Sequence, residues 1–153
     1  MSDRVNRGFT MVEILVVLTL FSVLAASALF VSMETYRGTS FRSDRDLLIA
    51  VFQRARAESM NNICRGVGCM DGTPHGVKVL TDGTVVLFQG AQYVGDPNTD
   101  AVFHLFAATT SDVAEVVFAP LSGTTTPATI VLSGYDHSST IIISPNGRIS
   151  WTH

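Results

Sequence analysis

No proline precedes Pro74, so nothing in the first half of this chain compels a helix to end. Charge is nearly absent from Phe9 to Met33, where Glu13 is the single ionisable side chain. That absence excludes a solvated surface helix. At about 1.5 Å per residue the run would reach roughly 37 Å, enough to cross a bilayer. Beyond Gly66 cations are scarce: Lys78 and Arg148 stand against Asp71, Asp82, Asp96, Asp100, Asp112, Glu115 and Asp136. So acidic a region excludes the broad cationic face on which nucleic-acid affinity chiefly rests. Cysteine is limited to Cys64 and Cys69. Adding His75 still leaves three ligands at irregular spacing, one short of a structural zinc site. Catalytic constellations are missing too. No Gly-x-Ser-x-Gly elbow precedes Asp136-His137, and His75, His104 and His153 share no spacing. Asp96-Pro97-Asn98-Thr99-Asp100 begins as a calcium loop does, but Ala101 and Ala107 stand where glycine and the closing acid belong. It reads as an acidic surface loop. The chain is therefore expected to be no enzyme, with no catalytic residue, no metal and no cofactor.

What is present starts at the N-terminus. A polar leader carrying Arg4 and Arg7 ends at Gly8, and the apolar run follows at once. The two arginines hold this end cytoplasmic by the positive-inside bias. A carboxylate such as Glu13 costs about 2.5–3.5 kcal/mol at the centre of a membrane helix, so it requires a partner. Overall 46% of residues are hydrophobic and 15% charged, with mean hydropathy +0.32, high for a soluble domain. Without the anchor, roughly 120 residues remain, enough for one core and not two.

The residues Arg7-Gly8-Phe9-Thr10-Met11-Val12-Glu13-Ile14-Leu15 resemble the class III leader of type IV pilins and type II secretion pseudopilins. The resemblance implies cleavage between Gly8 and Phe9 by a prepilin peptidase, with N-methylation of Phe9. It gives Glu13 a role in assembly, pairing with the N-terminal amine of a neighbouring subunit in the filament. It also implies partners: other pilin or pseudopilin subunits, an inner-membrane assembly platform and the membrane itself. The chain would sit in the bacterial inner membrane with its C-terminal head exported, and afterwards in a pilus or pseudopilus. Phe30 stands where major pilins usually carry a helix-breaking proline.

Four segments follow from this reading: 1–8 as a removable leader, 9–33 as a membrane and filament-core helix, 34–62 as its amphipathic continuation, and 63–153 as a β-rich head. Gly38 is the weak point of the helix. Leu48, Val51, Phe52, Ala55 and Ser59 form one face, while Arg42, Asp46, Arg54 and Glu58 read as solvated. Cys64 and Cys69, with glycines between them in an oxidising exported compartment, read as a disulfide closing a short loop. Such closure contributes roughly 2 kcal/mol.

After Asn62 the pattern turns to β. His75–Thr81 and Thr84–Gln89 are joined at Asp82-Gly83, a hairpin signal. Ala101–Ala107, Val113–Ala119, Thr129–Ser133, Thr140–Ser144 and Arg148–Thr152 follow, the last pair turned by Asn146-Gly147 in a type I′ turn. About seven mostly antiparallel strands packed on one long helix make an α+β head.

The helix end, Leu47-Leu48-x-Ala50-x-Phe52-x-x-Ala55-Arg56-Ala57-Glu58-Ser59, is similar to that of the GspH/FimT group of minor pilins and pseudopilins. So is the closing pattern Val117-Phe118-x-Pro120-x-x-Gly123, then Ile141-Ile142-Ile143-Ser144-Pro145-Asn146-Gly147-Arg148-Ile149. This resemblance implies two packed sheets against the helix and a role in initiating or capping a filament. One branch of the group binds DNA near a C-terminal Gly-Arg-x-Arg. Here the match is Gly147-Arg148-Ile149-Ser150, without the second arginine. Arg148 and Trp151 are the candidate DNA contacts, disfavoured by the acidic head. The alternative function is a filament-tip receptor for DNA or for a secretion substrate.

Overall fold

The computed structural model describes residues 9–65 and 72–152, except for the side chains of residues 28–32. One helix, α1 (Met11–Met60), precedes eight strands: β1 (His75–Val79), β2 (Thr84–Gln89), β3 (Ala101–His104), β4 (Thr109–Thr110), β5 (Ala114–Phe118), β6 (Ala128–Gly134), β7 (His137–Ile143) and β8 (Ile149–Thr152). The chain divides into two compact units, with the boundary between Tyr36 and Arg37.

In the first unit Thr10 caps α1: its Oγ1 accepts the Glu13 backbone N–H at 3.3 Å. Thr10 and Glu13 thus occupy the first and last positions of a capping box, and Glu13 sits where a carboxylate suits the positive end of the helix dipole. From Phe9 to Leu24 the large apolar side chains are exposed on every side, from 44% for Val17 to 80% for Met11. Thr19, Ser22 and Ser27 turn their hydroxyls back onto the carbonyls three residues earlier, at 2.8–2.9 Å. These three hydroxyls are thereby satisfied within the helix. Where the sequence predicts a membrane helix over Phe9–Met33, α1 is helical from Met11 onward. Among the described residues, no helix is long and apolar enough to cross a membrane.

The second unit is the head: α1 from Arg37 to Met60 with two four-stranded antiparallel sheets, ordered β3-β2-β1-β5 and β4-β6-β7-β8. It is the α+β architecture expected, with one strand more: β4 crosses to the second sheet before β5 returns to the first. The expected face of α1 is buried, Leu48, Phe52, Ala55 and Ser59 completely and Val51 at 3%. It meets Val77, Leu87, Val116 and Phe118 of one sheet and Ile130, Leu132, Ile141 and Ile143 of the other. Burying each such side chain contributes roughly 1.5–3 kcal/mol, which is why period 3.6 on the helix and period 2 on the strands converge on one core.

Gly38 does not end the helix. Its stop is a Schellman motif: Asn62 takes the left-handed conformation (φ 52°), its N–H reaches the Ser59 carbonyl, and the Ile63 N–H reaches Glu58. Both predicted hairpin turns form, with a different geometry from type I′. Only Gly83 and Gly147 have positive φ (84° and 74°), while Asp82 and Asn146 do not. Each is a three-residue loop whose final glycine relieves the twist. The β6–β7 turn is the one with two consecutive positive φ values, on Tyr135 and Asp136.

Candidate functional site

Chemistry-bearing residues fall into an N-terminal set and three groups in the head. In the N-terminal set, Gly8 lies outside the described residues. Phe9 is 78% exposed, and Glu13 projects from the first turn of α1. Cys64 follows the helix stop directly, whereas Cys69 lies outside the described residues. The segment leading away from Cys64 is strapped to β2: the Arg65 N–H donates to Gln89 Oε1 at 2.8 Å, and Gln89 Nε2 donates back to the Arg65 carbonyl.

The first head group corrects the solvated reading of Glu58, which is 6% exposed. On a helical wheel it lies nearly two full turns from Val51, and so on the same face, close to Ala55 and inside the apolar stripe; only its charge suggested otherwise. Its Oε1 pairs with Arg54 Nε at 2.9 Å and closely with Arg65. Arg42, Asp46 and Arg54 are exposed, as expected. Oε2 lies 3.9 Å from His75 Nε2, too far for a hydrogen bond, and both His75 ring nitrogens are buried. Burial pushes the His75 pKa below its ordinary 6.5; Glu58 acts against this, and Arg65 with it. Beside the ring, Ser59 Oγ donates to the Phe118 carbonyl (2.9 Å) and accepts the His75 backbone N–H (2.8 Å). One hydroxyl thereby joins α1, β1 and β5.

The sign of the pH effect follows. A histidine with a depressed folded pKa contributes its full share of stability above about pH 6.5. That share is lost as pH falls below it, because the unfolded chain takes a proton the folded one refuses. Thermal unfolding should therefore move to lower temperature between pH 7 and pH 5.5, and His75→Gln should flatten that slope. An equal slope in the variant would assign the effect to other groups.

The second group is Asp44, 4% exposed and also within the apolar stripe, four residues before Leu48. Its Oδ2 accepts the backbone N–H groups of Phe106, Ala107 and Ala108 at 2.8, 2.5 and 2.9 Å. The β3–β4 loop is thus folded around a carboxylate. Gly134 lets β6 pass beneath it: a Cβ there would stand 1.9 Å from the Ala107 carbonyl oxygen.

The third group is a groove beside the helix end, where Arg56 and Arg148 converge. Trp151 is not part of it. Its ring lies under the Arg45 guanidinium, 5.7 Å from the centroid, and it pairs in register with Ile141. Arg45 and Arg56 are eleven residues apart on α1, roughly 16 Å along the axis. The two candidate DNA contacts are thus directed to different places.

The Asp96–Asp100 loop satisfies its own acids. Asp96 Oδ1 accepts from the Asn98 backbone and side-chain N–H groups, and Asp100 Oδ2 accepts the Asp96 N–H. The Asn98 bonds hold the Asp96 carboxyl low, while burial, then Asp96 itself, push Asp100 up. Among the described residues, no three His, Cys, Asp or Glu side chains are grouped to hold a metal ion.

Comparison with known proteins adds one positive result. Residues 3–29 match the prokaryotic N-terminal methylation motif, a type IV pilin-like leader. No curated protein matches the chain, and no solved structure does.

Proposed function

We propose that this chain is the precursor of a minor pilin or pseudopilin of the GspH/FimT kind, a subunit that helps initiate or cap a type IV pilus or a type II secretion pseudopilus. The observation that carries the reading is the methylation motif at residues 3–29, laid over a capped helix that is apolar on every side. A helix of that kind is stable only when covered. Before assembly the bacterial inner membrane covers it, with the head exported. After a prepilin peptidase cuts between Gly8 and Phe9 and the new amine is methylated, neighbouring helices cover it in the filament. Glu13 then meets the N-terminal amine of an adjacent subunit, which offsets the cost of burying its charge. A Cys64–Cys69 bond closes the loop next to the helix stop.

The test is mass spectrometry of the tagged protein purified from its own membranes. A methylated Phe9 N-terminus, with other pilin-like subunits co-purifying, is the expected result. An intact Met1 or Ser2 start without such partners would refute the reading.

A further inference from the structure

We infer that the groove between the end of α1 and the β7–β8 turn is a binding site for a carboxylate on another polypeptide, held by Arg56 and Arg148 beside an apolar wall. The groove encloses about 250 Å³, the scale of one or two side chains. Its lining includes Arg56, Arg148, Ala57, Met60 and Ile149, and no acid. Four other cations of the head are matched: Arg54 and Arg65 meet Glu58, Arg45 meets Asp46, and Lys78 meets Glu115. Arg56 uses one guanidinium nitrogen on the Asn146 carbonyl (3.3 Å), but its Nε is buried with no hydrogen-bond partner. A buried charged donor left unmet costs more than an ordinary missing bond, and a counter-charge on the same guanidinium would offset part of that cost.

The backbone is shaped to pack closely under Arg56 and Met60. Gly123 and Gly147, both at positive φ, lie side by side under the helix end. A Cβ on Gly147 would stand 2.1 Å from the Gly123 carbonyl oxygen and 2.6 Å from Arg56 Nε, and one on Gly123 would strike Met60. Two guanidinium forks suit a planar carboxylate. The single pair of cations and the apolar wall suit a short peptide segment bearing one carboxylate next to an apolar side chain, and they do not suit a phosphate backbone.

The experiment follows the Arg Nε–Hε resonances of the full chain in detergent micelles by NMR. N-acetyl-leucine supplies a terminal carboxylate and N-acetyl-Leu-Glu-amide a side-chain one; N-acetyl-Leu-Gln-amide is the neutral control. Either acid should shift the Arg56 and Arg148 signals at millimolar concentration while the control does not, and the tighter of the two identifies the source. The exposed Arg148→Gln should weaken binding roughly tenfold, as for loss of one charge-assisted contact, and Arg148→Lys should recover part of it. No shift with either acid would overturn the proposal. So would a thymidine oligonucleotide that binds the groove more tightly than both, which would make phosphate its ligand.

Discussion

Replacing Glu13 by valine should remove this subunit from filaments while leaving its head folded. Valine is comfortable in an apolar helix, and the cap from Thr10 to the Glu13 backbone N–H does not use the side chain. Loss of the favourable dipole interaction costs α1 only about 0.3–1 kcal/mol. The cost falls on assembly instead. On the proposed reading, the neighbour's N-terminal amine is left buried without its counter-charge, a penalty of about 3–5 kcal/mol and so at least about a hundredfold in docking. Immunoblotting of sheared filaments against membranes measures it, with Glu13→Asp expected to retain part of the incorporation. Unchanged incorporation of the valine variant would end the assembly role.

The largest effect on the head itself should come from Asp44→Ala. Its Oδ2 satisfies three consecutive backbone N–H groups. Among these residues Ala108 is almost wholly buried. Hydrogen bonds to a charged acceptor are worth about 1.5–3 kcal/mol each, and a buried N–H left unmet costs about 1–3. Loosening of the β3–β4 loop will let water reach some of them, so the expected loss is about 3–5 kcal/mol. Asp44→Asn keeps one acceptor oxygen but no charge and should lose about half as much. Chemical denaturation of the full chain in detergent gives the numbers. A loss under about 1 kcal/mol would mean that the loop finds other acceptors.

These two residues also show how far the sequence could be read. Glu13 is conspicuous because it is the one charge in a long apolar run, and that contrast needs no structure. Asp44 and Glu58 sit among many charged residues between Arg37 and Glu58, where nothing singles out Asp44 and the type of Glu58 argues for solvent. Their positions argued otherwise, since both fall on the wheel with Leu48, Val51 and Ala55. Helical spacing carried the information, and residue type outweighed it. His75 gave less warning, because nothing local says that β1 will place its ring against the end of α1. The turns behaved similarly. Asp82-Gly83 and Asn146-Gly147 announced hairpins, but the geometry each adopted depended on the residues pairing on either side of it.

What the sequence determined alone is whatever depends on neighbours along the chain. The apolar N-terminal helix with its cap at Thr10, the buried stripe of α1, the alternation of the strands and the leader motif all belong here, because spacing of 3.6 or 2 and one capping hydroxyl are local physics. Only the tertiary structure decided what depends on distance across the fold. It drew Asp44 to the β3–β4 loop and Glu58 to Arg65 and His75. It set Gly123 against Gly147 so that Arg56 and Arg148 share a groove, and it turned Trp151 away toward Arg45. Those pairings join residues from seven to more than a hundred positions apart, and the contacts that select them exist only once both sheets have closed on the helix.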